Sequence, residues 1–198
     1  MIADVIAADR CPTNGDALTK GGSMVRLINQ GRLQAKADNP VIWISPVAET
    51  GSPEKTNSGS HLSVTRLPIS KQVHDDYYLT VGAARIWMVL HRLPADLPAD
   101  ALDDVPWNNS LEVNRQVADA VLRLAPAGAR VTLHDYTLLF AVPEIRRSPD
   151  VTLVYVHHLP WPSTCTVADP IARRMLLKMG GGNGVERCCH RLSTSLES

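Results

Sequence analysis

Large aromatic rings are scarce in this chain: one phenylalanine, four tyrosines and four tryptophans stand among 198 residues. A core must therefore be built mainly from aliphatic side chains, which at 44% hydrophobic residues overall are plentiful enough for one real core. Net charge is absent as well, with 20 basic residues against 20 acidic ones. That balance argues against nucleic acid or an anionic membrane surface as a partner, since either calls for a basic face. No apolar run approaches the roughly 20 residues needed to cross a bilayer. The opening Met1-Ile2-Ala3-Asp4-Val5-Ile6-Ala7-Ala8 carries an acid early and no basic leader, so no signal peptide and a cytoplasmic location are expected. Cysteines are few: Cys11, Cys165, Cys188 and Cys189. Zinc ligands come in pairs separated by spacers, and the adjacent Cys188-Cys189-His190 lacks them. Reduced thiols are expected, with no metal and no cofactor.

What is present alternates. Ile2 to Ala8 reads as a first strand, closed by the turn-rich Cys11-Pro12-Thr13-Asn14-Gly15-Asp16. Gly21-Gly22 opens a segment with Met24, Val25, Leu27 and Ile28 on one helical face. Val41-Ile42-Trp43-Ile44 and His61 to Ile69 read as strands on either side of a polar loop from Glu49 to Ser60. Lys71 to His91 is mainly helical, and the Pro- and Asp-rich stretch from Leu93 to Pro106 reads as loop. Val113, Val117, Val121 and Leu124 then mark a helix stopped by Ala125-Pro126-Ala127-Gly128. Strand (Arg130 to Leu133), helix (Leu138 to Arg146), strand (Val151 to Val156) and helix (Val167 to Met179) follow. Parallel neighbours need crossovers, so this order predicts an α/β protein with a parallel sheet. Gly180-Gly181-Gly182-Asn183-Gly184 lacks the Lys-Ser/Thr ending of a phosphate loop and reads as a connector.

In an open α/β sheet, ligands bind beyond the carboxyl ends of the strands. Two predicted strands end there in polar groups, His134-Asp135-Tyr136 and His157-His158. An imidazole and a carboxylate beside a second imidazole suit the handling of a sugar or a phosphate. Asp135 could equally cap the next helix, and the two uses are compatible. The prolines of Leu159-Pro160-Trp161-Pro162 stiffen the turn that aims His158. Arg10 follows the first strand, and its guanidinium fork together with backbone amides at Gly21 and Gly22 would suit a phosphate. The alternative is a surface arginine and two hinge glycines. Trp43, Trp87 and Trp107 could be core or could wall a sugar site. Asp75-Asp76 is read as serving a helix dipole.

These pieces fall into a known order. The chain resembles the N-terminal half of trehalose-6-phosphate synthases and their relatives, glycosyltransferases of the two-Rossmann-domain (GT-B) type. The family's opening Ser-Asn-Arg-Leu-Pro is echoed by Ala8-Asp9-Arg10-Cys11-Pro12, and its Gly-Gly loop by Gly21-Gly22. Its Trp with a downstream Glu-Thr-Gly corresponds to Trp43 and Glu49-Thr50-Gly51. Its Tyr-Tyr…Leu-Trp-Pro-Leu-Phe-His-Tyr segment corresponds to Tyr77-Tyr78…Ile86-Trp87-Met88-Val89-Leu90-His91-Arg92. Trp107…Val113-Asn114, His134-Asp135-Tyr136-Thr137 and His158 to Ser163 complete the series, which spans Ile2 to about Ser163.

The resemblance implies a Rossmann-like parallel sheet with helices on both faces. Residues 1–163 would form the acceptor-binding domain, and 164–198 a diverged or truncated continuation of it. It implies glucosyl transfer from a nucleotide sugar such as UDP-glucose to glucose 6-phosphate, with retention and without a metal. By position, Arg10 would bind the acceptor phosphate beside Trp43 and Trp107, and Gly21 and Gly22 would lie by the donor diphosphate. Asp135 would hold the acceptor sugar and His158 would touch the donor glucose. The family's phosphate-binding Tyr falls at Arg92, and the second His of its His-Asp-Tyr-His at Thr137. Those departures leave room for another acceptor, glycerol phosphate or a cyclitol phosphate. The family's donor-binding domain has no counterpart here, so little transfer by this chain alone is expected, and a non-catalytic sugar-phosphate-binding domain is a further alternative. The partners implied are small molecules, and association into a homo-oligomer is left open.

Overall fold

The computed structural model describes residues 3–9, 39–49, 56–57, 61–164 and 167–181. Their framework is a sheet of six strands: β1 (Asp4–Ala7), β2 (Val41–Ala48), β3 (Thr56–Asn57), β4 (Leu62–Ile69), β5 (Ala129–His134) and β6 (Val151–Val156). The spatial order is β3-β4-β2-β1-β5-β6. β3 pairs antiparallel with β4, and every other pairing is parallel. The expected parallel α/β architecture is therefore present. β1 is buried along its whole length because a central parallel strand is covered on both faces, whereas β5 alternates, with Arg130 exposed between buried Ala129 and Val131.

Side-chain alternation sorts the core into two layers. Val5, Ala7, Ile44, Val131 and Leu133 join the main cluster. Ile6, Ala8, Val41, Trp43, Leu62 and Val64 form a second cluster on the opposite face. The helices described pack on the main cluster. The helix expected around Met24 to Ile28 lies outside the described residues.

The first helix among the described residues, α1, occupies residues 71–90 in three pieces, Lys71–His74, Asp75–Trp87 and Met88–Leu90. Its middle piece is wound as a π-helix. The buried residues there, Asp76-Tyr77, Val81-Gly82 and Arg85-Ile86, recur every four to five positions, wider than the 3.6-residue α-period. Sequence periodicity showed a helix here but not its winding. Ser70 caps the helix, its side chain accepting from Val73 N at 3.2 Å. Asp75 and Asp76 consequently stand past the first turn rather than at the helix head. Asp75 pairs with Lys71. Asp76 is buried and accepts from Gln72 Nε2 at 3.1 Å and Asn109 Nδ2 at 2.8 Å, so it ties α1 to the next helix.

That helix, α2 (Val105–Leu124), begins earlier than the sequence suggested. Asp104 accepts from Trp107 N at 2.9 Å, and Pro106 fits the first turn, where no N–H is needed. Arg85 secures the approach by donating to Ala101 O at 2.8 Å and in bidentate fashion to Asp104 at 3.0 and 2.6 Å. This contact, more than any other, holds the Asp104 carboxyl below the usual carboxylate range. Val113, Val117 and Val121 are buried as their spacing predicted.

After β5 the chain makes a 3-10 turn, Tyr136–Ala141, that runs into a short helix, α3 (Val142–Ile145). The last helix, α4 (Pro170–Gly181), starts three residues later than expected because Asp169 caps it, accepting from Ile171 N at 2.7 Å and Ala172 N at 2.9 Å. Met175, Leu176 and Met179 of α4 are fully buried in the main cluster.

Candidate functional site

The chain runs from β1 outward through β2 to β4, then returns to the other side of β1 at β5. The reversal lies between β1 and β5, and the crevice beyond the carboxyl ends of strands at such a reversal is where open α/β sheets bind ligands. Asp9 follows β1, Asp135 follows β5, and His157-His158 follow β6.

Asp135 holds an unusual backbone, φ 72° and ψ 166°. That region is essentially reserved for glycine and costs other residues on the order of 1–3 kcal/mol. Its surroundings fix it. The Asp135 N–H donates to Val156 O at 2.9 Å, and its carbonyl accepts from Leu138 N at 3.3 Å. Oδ1 accepts from Tyr136 N at 2.8 Å. Oδ2 has no hydrogen-bond partner among the described residues. Burial raises the Asp135 carboxyl above its ordinary range, partly offset by the Tyr136 N–H and by His158.

Beside it the rings of His134 and His158 stack, with centroids 5.4 Å apart and planes 13° from parallel. His134 Nδ1 and His158 Nε2 lie 3.1 Å apart. Burial, and secondarily His158, lowers the His134 pKa to about 4. At neutral pH His134 is therefore uncharged, and the state of its Nδ1 dictates what His158 Nε2 can be. His157 is turned the other way: its Nδ1 lies 3.0 Å from Tyr155 Oη and its ring meets Trp161 edge-on. Strand alternation thus separates the two imidazoles, as expected, and His158 is the one beside Asp135.

A second polar group adjoins the crevice. The Tyr77 and Thr137 hydroxyls are buried close enough to influence one another but make no hydrogen bond of ordinary geometry. Burial, and next the Asp9 carboxylate, pushes the Tyr77 phenol well up, which puts Tyr77 within electrostatic reach of the end of β1. Gly82 leaves room for the Thr137 methyl against the backbone of α1. A Cβ there would lie 3.2 Å from Tyr77 O and 3.4 Å from Thr137 Cγ2. Asn114 of α2, 1% exposed, reaches the same turn: Nδ2 donates to Ser110 O and Thr137 O, each at 2.9 Å, and Oδ1 accepts from Ala141 N at 3.0 Å.

Of the site residues expected from sequence, Asp135 and His158 come together. Arg10, Gly21 and Gly22 lie outside the described residues. Trp43 and Trp107 are packed as core, 0% and 1% exposed. Trp43 sits in the second cluster, and Trp107 meets Phe140 edge-on with centroids 5.3 Å apart, under the Lys178 ammonium. Neither ring offers open surface to a ligand, because scarce aromatics were used to fill the interior. Arg92 is also apart. It follows α1 at φ 57°, is exposed, and its side chain makes no hydrogen bond or ion pair among the described residues. It borders a groove of about 460 Å³ between Leu93–Leu97 and the start of α4. Tyr77 and Asn114 were quoted as sequence matches but given no role, and Thr137 only as a departure, since only the fold brings α1, α2 and the turn after β5 together. Among the described residues no cluster of His, Cys, Asp or Glu could hold a metal ion.

A family model described as Glycosyltransferase family 20 matches residues 26–175. The glucosylglycerol-phosphate synthase of Synechocystis sp. is 30% identical over 106 residues, 53% of this chain and 21% of that protein. The trehalose-6-phosphate synthase of Mycobacterium sp. (strain JLS) is 28% identical over 166 residues, 80% of this chain and 33% of that protein. Among solved structures, an E. coli trehalose-6-phosphate structure bound with UDP-2-fluoro glucose superposes with a TM-score of 0.68 at 22% identity, over 89% of this chain and 37% of that one. An alpha,alpha-trehalose-phosphate synthase (UDP-forming) from Burkholderia xenovorans in complex with glucose-6-phosphate gives 0.63 at 16% identity, over 90% and 38%. These likenesses show a shared fold. The chain spans about a third of the length of most of these proteins, and less of the Synechocystis one.

Proposed function

Since the chain belongs to glycosyltransferase family 20, we propose that it supplies the acceptor side of a trehalose-6-phosphate-synthase-like site, at which glucose passes from a nucleotide sugar such as UDP-glucose to glucose 6-phosphate. The observation that carries this reading is the strained Asp135 at the carboxyl end of β5, beside the sheet's reversal point, with the His134–His158 contact reaching it from the end of the neighbouring β6. In this reading the Asp135 oxygen that has no partner among the described residues accepts from a sugar hydroxyl. His158, its Nε2 engaged by His134, has Nδ1 left for a second sugar contact. Such groups act by fixing the reacting hydroxyl and the leaving group in register, which is how most of a transfer barrier is lowered when no protein nucleophile takes part.

Arg10 is assigned to the acceptor phosphate, and Gly21 and Gly22 to the donor diphosphate. Residues 1–163 form the acceptor-binding domain in this reading. The stretch 164–198 continues it, in keeping with the burial of α4 in the same core. The setting proposed is cytoplasmic and the partners are small molecules. A second reading has specific support. The Synechocystis relative is named for a glucosylglycerol-phosphate product, so glycerol 3-phosphate is the competing acceptor, with Arg92 and Thr137 as the departures that would accommodate it.

Isothermal calorimetry with glucose 6-phosphate tests the assignment. Heat is expected from the unaltered chain, with at least a tenfold weaker Kd for Asp135→Asn and for Arg10→Ala. Binding that ignores both substitutions would remove the site from this crevice. Tighter binding of glycerol 3-phosphate would favour the second acceptor.

A further inference from the structure

We infer that Asn114 is a positioning residue that holds the strained Asp135 backbone in its ligand-facing conformation. Asn114 is 1% exposed and acts through the turn rather than on a ligand. Its one side chain bonds both flanks of the turn that follows Asp135: the amide reaches Thr137 O, and the carbonyl oxygen receives Ala141 N–H. The same amide is anchored to its own helix at Ser110 O. The turn between these points is a 3-10 segment whose first bond, Leu138 N to Asp135 O, ends on the strained residue. Asp135 is thus gripped on its N-terminal side by β6, through Val156 O, and on its C-terminal side by a turn bolted to α2. A non-glycine residue stays at such φ and ψ only where its neighbours over-determine it. Of three buried hydrogen bonds made by one neutral side chain, two serve this turn alone.

Without the bolt, the turn can relax, Asp135 can return to an ordinary extended conformation, and its carboxylate no longer points where it does. The consequence for a ligand rests on the proposed function, but the mechanical part does not, and two arms of one experiment separate them. In the first arm, thermal unfolding compares Asp135→Gly with Asp135→Ala. Both remove the carboxylate, and only glycine tolerates the backbone. The glycine variant is expected to melt about 3 °C higher. Repeated with Asn114→Ala added, the gap should close, because alanine is no longer held in the costly conformation. A gap that survives intact shows that Asn114 does not carry the strain, and no gap in the single variants shows that nothing does. Either result overturns the inference. If Asn114→Ala does not fold, Asn114→Asp, which keeps an oxygen for Ala141 N–H and loses the amide donor, takes its place.

In the second arm, glucose 6-phosphate is titrated into Asn114→Ala and into Val64→Ala, a truncation in the second cluster on the other face of the sheet. A tenfold or greater loss of affinity is expected for the first and less than twofold for the second. Equal losses would reduce Asn114 to general stability and overturn its positioning role. Absence of binding by the unaltered chain would sink the acceptor assignment while the first arm still decides whether the clamp exists.

Discussion

The two ends of the same sheet are finished differently. At the amino ends of β1 and β5, Asp4 is 4% exposed and both of its oxygens are used. Oδ1 accepts from Arg130 Nε, and Oδ2 accepts from Arg130 Nη2 and Asn39 Nδ2, all at 2.9 Å. At the carboxyl ends, among the described residues, one oxygen of Asp135 has no partner and its backbone is strained, while the Tyr77 and Thr137 hydroxyls are buried without a hydrogen bond of ordinary geometry. Buried polar groups in native proteins are almost always satisfied, and strain concentrates where function requires it. One end of the sheet is optimised for holding together. The other keeps polar capacity in reserve, which is what a ligand-binding end needs.

Breaking the amino end should give the largest change in stability and none in binding. Asp4→Ala strips Arg130 and Asn39 of their acceptor and is expected to lower unfolding free energy by about 2 kcal/mol, the scale of lost hydrogen bonds to a charged group. Denaturant titration reads the loss, and calorimetry with glucose 6-phosphate should return an unchanged Kd. A Kd that moved with the stability would erase the distinction between the two ends.

Acid should act mainly through the carboxyl end. The folded pKa values of His134 and His157 are lowered to about 4 by burial and His158, against about 6.5 for exposed imidazole. The unfolded chain therefore binds more protons between these values, so both rings stabilise the fold fully above pH 6.5 and lose that contribution as pH falls toward 4. Asp135, whose carboxyl is raised, works in the opposite sense: protonation relieves the cost of burying its charge. A net loss of about 1–2 kcal/mol across this window is expected for the two rings after allowing for solvent screening. Replacing His134 with Gln should flatten the pH profile of the melting temperature. An equally steep profile in that variant would place the proton uptake elsewhere.

How much of this was legible in the sequence depends on how local each cause is. β6 came out as Val151–Val156, as expected, because a β-branched run bounded by turns is a local signal. The placement of Asp135 and His158 after neighbouring strands was legible too, because adjacent parallel strands end at the same level. The π-winding of α1 was not, since it shows only as a stretched burial period. Nor was the fate of the indoles: Trp43 and Trp107 read as well for a sugar wall as for a core, and tertiary packing decided for the core. The role of Asn114 was illegible for a plainer reason. Its partners Thr137 and Ala141 stand 23 and 27 residues away, and nothing in spacing announces a bond between a helix and a turn that meet only after folding.

The smallest stability effect expected is also the sharpest test of the contrast between the two ends. Tyr77→Phe removes a hydroxyl that is wholly buried, makes no hydrogen bond of ordinary geometry among the described residues and lies within electrostatic reach of Asp9. Burying an unsatisfied hydroxyl costs on the order of 1–3 kcal/mol, part of which the nearby Thr137 hydroxyl offsets. Deleting it should therefore leave stability unchanged or raise it by up to about 1 kcal/mol, where removal of a satisfied polar group such as Asp4 lowers it. Paired denaturant titrations of Tyr77→Phe and Asp4→Ala give the two signs directly. If Tyr77→Phe destabilises by as much as Asp4→Ala, its hydroxyl is already satisfied in solution. The carboxyl end would then hold less unfilled polar capacity than the geometry around Tyr77 and Thr137 indicates, and the strained Asp135 would have to carry the contrast alone.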